Sequence, residues 1–101
     1  MPRELSVSSR RLYRELTDEY GIHDKGGAEI LRSGLRALDQ AEAAEARIAK
    51  DGQIVVDRFK QTRAHPLLPI ARDFRAQWQA ALRQLNLAIG DPPKVGRPEG
   101  A

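Results

Sequence analysis

Ala28 to Lys50 reads AEILRSGLRALDQAEAAEARIAK, and this stretch decides the fold. Strong helix formers (Ala, Glu, Arg, Leu) dominate it and no proline interrupts it. At 1.5 Å per residue it predicts a rod roughly 35 Å long. Two apolar stripes run along the rod. Leu31, Leu35 and Leu38 form one. Gly34, Ala37, Ala41, Ala44 and Ile48 form the other, with side chains small enough to let a second backbone come close. Packing inside the monomer and contact between subunits both fit the second stripe. One short partner helix cannot cover both, so the small-residue stripe is assigned to an oligomer interface, together with Ile54 and Val56 of the segment that follows.

Upstream of the rod, Met1 to Val7 carries Pro2 and no periodicity, and reads as a short arm. Ser8 or Ser9 is placed to cap a first helix over about Arg10–Tyr20. Leu12, Leu16 and Tyr20 share one face of it, with Tyr13 beside them. Gly21 is a natural stop. Asp24 opens the long helix, although Gly26 and Gly27 weaken its first turn by about 1 kcal/mol each.

Downstream, Asp51-Gly52 ends the rod. Gln53 to Asp57 is short, β-branched and bounded by a turn signal, which predicts a strand. Arg58 to Gln61 reads as a loop, and Thr62 to His65 as the return strand of a hairpin. An isolated hairpin is marginally stable in water, so this one is expected to lie on the helices or pair with a neighbouring chain. Pro66 to Leu87 reads as a third helix with Pro66 and Pro69 in its first turn. Its apolar stripe is Leu67, Ile70, Ala71, Phe74, Trp78, Ala81, Leu82 and Leu85, and Phe74, Trp78 and Leu82 are expected in the core. Gly90 to Ala101 holds three of the six prolines and reads as a flexible tail. The expected architecture is mainly α: two N-terminal helices with the second long, a β-hairpin, a C-terminal amphipathic helix and a flexible tail. The domain layout is an arm over 1–8, one helical domain over 9–89 and a tail over 90–101.

The chain has 101 residues, 41% of them hydrophobic and 31% charged, which fits one small globular domain. Seventeen basic residues face fourteen acidic ones, for a net charge of +3. The absence of cysteine removes disulfides, thiolate zinc sites and cysteine nucleophiles, and fits a reducing compartment. No apolar run approaches the roughly 20 residues needed to span a membrane, and the N-terminus lacks the apolar core of a secretory signal.

Catalytic chemistry is hard to assemble from these residues. His23 and His65 are far apart and neither has a companion at ligand spacing. Asp39, Glu42 and Glu45 follow each other at three-residue spacing, a pattern that suits a solvated face more than a cation site. No phosphate-binding glycine loop is present. The serines have no basic partner at readable spacing. The reading is therefore a non-enzyme with no cofactor and no metal.

Binding chemistry is better supported. Arg3, Arg10, Arg11 and Arg14 concentrate positive charge at the N-terminus, and Arg10 and Arg14 share a helix face suited to phosphates. Glu15, Asp18 and Glu19 follow at once, so internal salt bridging is the plain alternative. Lys94 and Arg97, within Lys94-Val95-Gly96-Arg97-Pro98, form a second basic element that suits a minor groove, or simply a solubilising tail. A helix-turn-helix is disfavoured, because its recognition helix would open Lys25-Gly26-Gly27-Ala28, which is poor in base-reading side chains.

The order of these parts resembles one of the small-subunit families of tailed-phage terminases. The residues that carry the resemblance are Leu12-Tyr13-Arg14-Glu15-Leu16, Asp39 with Ala41-Glu42-Ala43, Asp51-Gly52 with Val55-Val56-Asp57-Arg58-Phe59, His65-Pro66, Arg72-Asp73 with Arg75-Ala76, and Leu82-Arg83-Gln84-Leu85. They span about Leu12 to Pro98, and His65-Pro66 after the hairpin is the most distinctive. The resemblance implies a non-catalytic factor of viral genome packaging in a bacteriophage. Such subunits form homo-oligomeric rings, hold viral double-stranded DNA and deliver it to the large subunit, which carries the ATPase and nuclease. The host cytoplasm is the implied location. Relatives carry a longer basic leader; here Met1 to Val7 precedes the first helix, so DNA contact is expected from the arginine arm, the ring surface or the tail. The competing expectation is a small helical adaptor or regulator that binds a protein partner through the long helix.

Overall fold

The computed structural model describes residues 4–87. Its elements are helix α1 (Val7–Tyr20), helix α2 (Lys25–Asp51), strand β1 (Ile54–Val56), strand β2 (Thr62–Ala64) and helix α3 (Leu68–Gln84). The chain is mainly helical, with one antiparallel two-stranded hairpin between the long helix and the last one. The expected tail over 90–101 lies outside the described residues.

Helix α1 begins three residues earlier than its sequence suggests, and its cap is Ser6, not Ser8 or Ser9. The Ser6 hydroxyl accepts the Ser9 N–H at 3.1 Å. Ser6 takes this role because the Asp39 carboxylate of α2 pins it: the Ser6 N–H and hydroxyl both donate to Asp39 at 2.8 Å, and the Ser9 hydroxyl donates at 2.6 Å. Leu5 is 3% exposed and packs with Leu16, Leu31, Leu35, Leu38, Trp78 and Leu82. Residues expected to form a loose arm therefore belong to the fold from Glu4 onward. Gly21, at φ 64°, closes α1 in the left-handed conformation, and the Ile22 N–H returns to the Thr17 carbonyl at 3.1 Å.

Helix α2 is capped by Asp24, whose carboxylate accepts the Gly27 N–H at 2.7 Å. The two glycines do not delay it. A β-carbon on Gly27 would stand 2.9 Å from that carboxylate and 3.0 Å from Ile22, so the cap itself needs a residue without a side chain. Helix α3 is shorter than the predicted Pro66–Leu87. Pro66 stays outside because the Leu67 N–H is turned to the His65 ring and the Leu68 N–H to the His65 carbonyl. At the other end Asn86, at φ 61°, closes the helix, with the Leu87 N–H on the Leu82 carbonyl at 2.8 Å. Leu87 then turns into the core.

The α2–α3 contact is the main seam, and it corrects the predicted interface. Gly34, Ala37, Ala41, Ala44 and Ile48 are buried within the chain rather than left for another subunit. Helix α3 runs antiparallel along them. Ala81 and Trp78 lie against Gly34, and Ala71, Leu67 and Leu68 pack with Ala44 and Ile48. The leucine stripe faces Leu16 of α1 together with Trp78 and Leu82 of α3. Two helices, not one, cover the two stripes. Trp78 and Leu82 are core as expected, whereas Phe74 is only half-buried at the edge of the seam.

The hairpin pairs Ile54 with Ala64, Val55 with Arg63 and Val56 with Thr62. It does not lie down on the helices: Ile54, Val56 and Phe59 are each about two-thirds exposed.

An alanine at Gly34 tests the seam. Its β-carbon would stand 2.5 Å from that of Ala81, an atom with no rotamer to move it away. Gly34→Ala gains up to about 1 kcal/mol of helix propensity, yet overpacking costs about 1–3 kcal/mol. Net destabilisation is expected in urea unfolding. A more stable variant would show that the helices are not in close contact there. Trp78→Ala is expected to cost about 3–5 kcal/mol.

Candidate nucleic-acid interface

Val7, Arg10, Arg11 and Arg14 recur at helical spacing and form one stripe of α1. Together they line a shallow concavity of about 410 Å³. The opposite side of the helix, through Ser9 and Leu16, is buried. Packing therefore fixes which face is left to the arginines, and the Asp39 latch fixes where along α2 that face begins.

Arg10, Arg11 and Arg14 have no carboxylate partner among the described residues. Among the described residues the Arg–carboxylate pairs join Arg32 to Glu4 and Glu29, Arg47 to Asp51, Arg63 to Asp57 and Arg75 to Glu45. Arg10, Arg11 and Arg14 belong to none of them, so the internal bridging that Glu15, Asp18 and Glu19 suggested does not form. Three unpaired guanidinium groups on one face suit the oxygens of a polyanion. Arg3, Lys94 and Arg97, the other predicted DNA contacts, lie outside the described residues.

Two of the acidic trio of α2 are engaged elsewhere. Asp39 holds Ser6 and Ser9, and Glu45 takes a two-pronged contact from Arg75, with Nε at 2.9 Å and a terminal nitrogen at 2.8 Å. That contact draws the Glu45 carboxyl below its ordinary pKa. No cluster of three or more His, Cys, Asp or Glu side chains among the described residues has metal-binding geometry.

His65 is a structural knot between three elements. Its Nδ1 accepts the Leu67 N–H at 3.0 Å, so the proton of the neutral ring sits on Nε2, which donates to Asp51 at 2.9 Å. Arg47 donates to the same Asp51 oxygen at 2.8 Å. The His65 hydrogen bond, and after it Arg47, holds the Asp51 carboxyl below its ordinary pKa. The His65 N–H also meets the Gln53 carbonyl at 2.7 Å, closing the base of the hairpin. His65 thus ties the end of α2 to the start of α3 through its buried ring, and closes the hairpin through its backbone.

The hairpin tip is the feature that sequence reasoning passed over as a plain loop. Asp57 organises it: one carboxylate oxygen accepts the Phe59 N–H at 2.8 Å and the Gln61 N–H at 3.0 Å, and the other pairs with Arg63. The Arg63 hydrogen bond comes first among the causes that lower the Asp57 pKa. Lys60 adopts φ 64° at the turn, and its N–H closes on the Asp57 carbonyl. The Arg58 guanidinium lies 5.2 Å from the centre of the exposed Phe59 ring. Two cations flanking a phenylalanine in a tight loop was the available signal. Ile54 and Val56, assigned from sequence to a subunit contact, are exposed on the same hairpin.

No helix among the described residues is long and apolar enough to cross a membrane. Comparison with family models, with curated proteins and with solved structures finds no match for this chain.

Glu45, Asp51 and Asp57 all titrate below their ordinary values in the folded chain. Their contribution is full above the ordinary carboxylate range, roughly pH 4, and is lost as pH falls through the depressed values. Melting temperature is expected to drop over that acidic range. Asp51→Asn is expected to melt lower at neutral pH and to show a flatter acid limb. Superimposable pH profiles for the variant and the parent would show that Asp51 carries none of the linkage.

Proposed function

We propose that the chain is a non-catalytic factor of viral DNA packaging, a small-terminase-like subunit. In this reading it assembles as a ring, holds viral double-stranded DNA and passes it to the large-subunit motor. The observation that carries the reading is the unpaired Arg10–Arg11–Arg14 stripe on α1. The order of motifs from Leu12-Tyr13-Arg14 through Asp51-Gly52 to His65-Pro66 supplies the packaging context.

The ring no longer draws support from the small-residue stripe of α2, which α3 covers. It draws support from the hairpin. Two strands of three residues are marginal alone, and Ile54 and Val56 remain exposed on a face that no helix among the described residues covers. Burying that face against the next subunit, head to tail, gives a ring where the rotation between subunits closes. The adaptor reading through the long helix has less to work with, because both apolar stripes of α2 are occupied within the chain.

Two measurements test the proposal. Light scattering on a sizing column is expected to give a large discrete mass, and Ile54→Lys with Val56→Lys is expected to collapse it. Duplex DNA affinity is expected to fall with salt. Replacing Arg10, Arg11 and Arg14 by Ala should lower the affinity and reduce the salt slope by up to about 2.7, or 0.9 per lost phosphate contact. A monomer or dimer with no salt-dependent affinity for DNA would replace this reading with the adaptor.

A further inference from the structure

Gln61, Thr62 and Arg63 lead back from a tip that has no packing reason to look as it does. Phe59 is 67% exposed. A phenylalanine left in water at the end of a hairpin is an unfavourable placement unless something covers it. The tip is also stiff. The Asp57 carboxylate takes two backbone N–H groups and Arg63, and Lys60 accepts a left-handed φ that a non-glycine residue rarely adopts. The ring is held outward by hydrogen bonds that do not involve it.

The charge around the ring selects the kind of surface that covers it. Between Asp57 and Arg63 there are three cations and one carboxylate, and that carboxylate is spent on Arg63 and the turn. Arg58 and Lys60 have no carboxylate partner among the described residues. Arg58 lies over the ring, so one compact end carries a guanidinium, an ammonium and an apolar plate. An apolar protein pocket would have to desolvate both cations. A polyanion with apolar edges recessed between its charges satisfies all three groups together.

We infer that the hairpin tip is a second DNA contact, entering the major groove of duplex DNA with Arg58 and Lys60 on phosphates and Phe59 against base edges. A two-stranded ribbon fits a major groove about 12 Å wide and not a minor groove about 6 Å wide. Phe59 there meets apolar atoms such as thymine methyl groups. The contact rests on the DNA-binding reading and adds to it a site on a different element. Asp39 and Asp51 bracket the two sites along α2: Asp39 latches the start of α1, and Asp51 anchors the base of the hairpin through His65. The twelve residue steps from one to the other span about 18 Å of helix.

The test uses the full chain and a labelled duplex, with binding followed from low to moderate salt. Arg58→Ala with Lys60→Ala is expected to reduce the salt slope by about 1.8. Phe59→Ala is expected to lower affinity roughly tenfold while leaving the slope alone, because it removes apolar contact and no charge. On an RNA duplex of the same sequence, whose deep narrow major groove excludes the ribbon, the Phe59→Ala loss should disappear. A Phe59→Trp variant provides a direct probe, since Trp78 is buried: DNA should shield the new tryptophan from acrylamide. Tip variants that bind DNA like the parent, while the Arg10, Arg11 and Arg14 variant loses it, would overturn the tip contact and leave DNA binding standing. Tip variants that change the solution mass without changing DNA affinity would overturn it in favour of a subunit contact. A parent chain that does not bind DNA would remove both readings.

Discussion

Gly34 has no side chain, and the arrangement of the three helices depends on that. The β-carbon of Ala81 and the indole of Trp78 occupy the space that a side chain would need. Helix α3 can therefore lie along the small-residue stripe of α2, and the apolar area on that face goes into the monomer's own core. Every surface left for partners follows from this. With both stripes of α2 covered, the described residues present outward the charged flank of α1, the polar backs of α2 and α3, and a hairpin whose Ile54, Val56 and Phe59 stay exposed.

A second constraint fixes how that hairpin stands. A short hairpin between two helices would swing about its base if only the chain connected it. His65 prevents this with three contacts in different directions: its ring donates to Asp51, accepts from Leu67, and its backbone N–H closes on Gln53. Removing the imidazole would release the end of α2 and the start of α3 from each other and leave the hairpin held at that point by the backbone bond to Gln53 alone. The His-Pro step also explains why α3 starts at Leu68 and not at the predicted Pro66. Pro66 has no N–H to give, and the Leu67 N–H is already held by the ring, so helical bonding to the His65 carbonyl begins at Leu68.

The sequence made the elements legible and left their partners obscure. Period and propensity located three helices and the hairpin, because those signals are local. The stop at Gly21 and the cap at Asp24 were readable for the same reason. Ser6 was missed as the cap because what selects it is Asp39, thirty-three residues away. The small-residue stripe was recognised as a surface for close approach, but a stripe cannot say whether the approaching backbone belongs to the same chain. That depended on whether α3 would fold back antiparallel at the right height to set Ala81 on Gly34. The candidate site was half legible. The arginine run was visible as composition, whereas its freedom from Glu15, Asp18 and Glu19 is a matter of side-chain geometry.

The two exposed cationic features differ in a way that bears on their use. The α1 stripe is charge without apolar companionship beyond Val7, and it suits contacts that run along a phosphate backbone whatever the sequence. The hairpin tip mixes charge with an aromatic ring, and it is pre-shaped by Asp57 before any ligand arrives. Ordering lost on binding is therefore small at the tip. A surface that only needed to be soluble would keep the cations and bury or omit the ring. A surface that only needed to bind another subunit would keep the ring and omit the cations. Arg58, Phe59 and Lys60 occur together on a turn whose backbone holds a left-handed lysine to present them, and a groove lined by phosphates outside and base edges inside answers to all three.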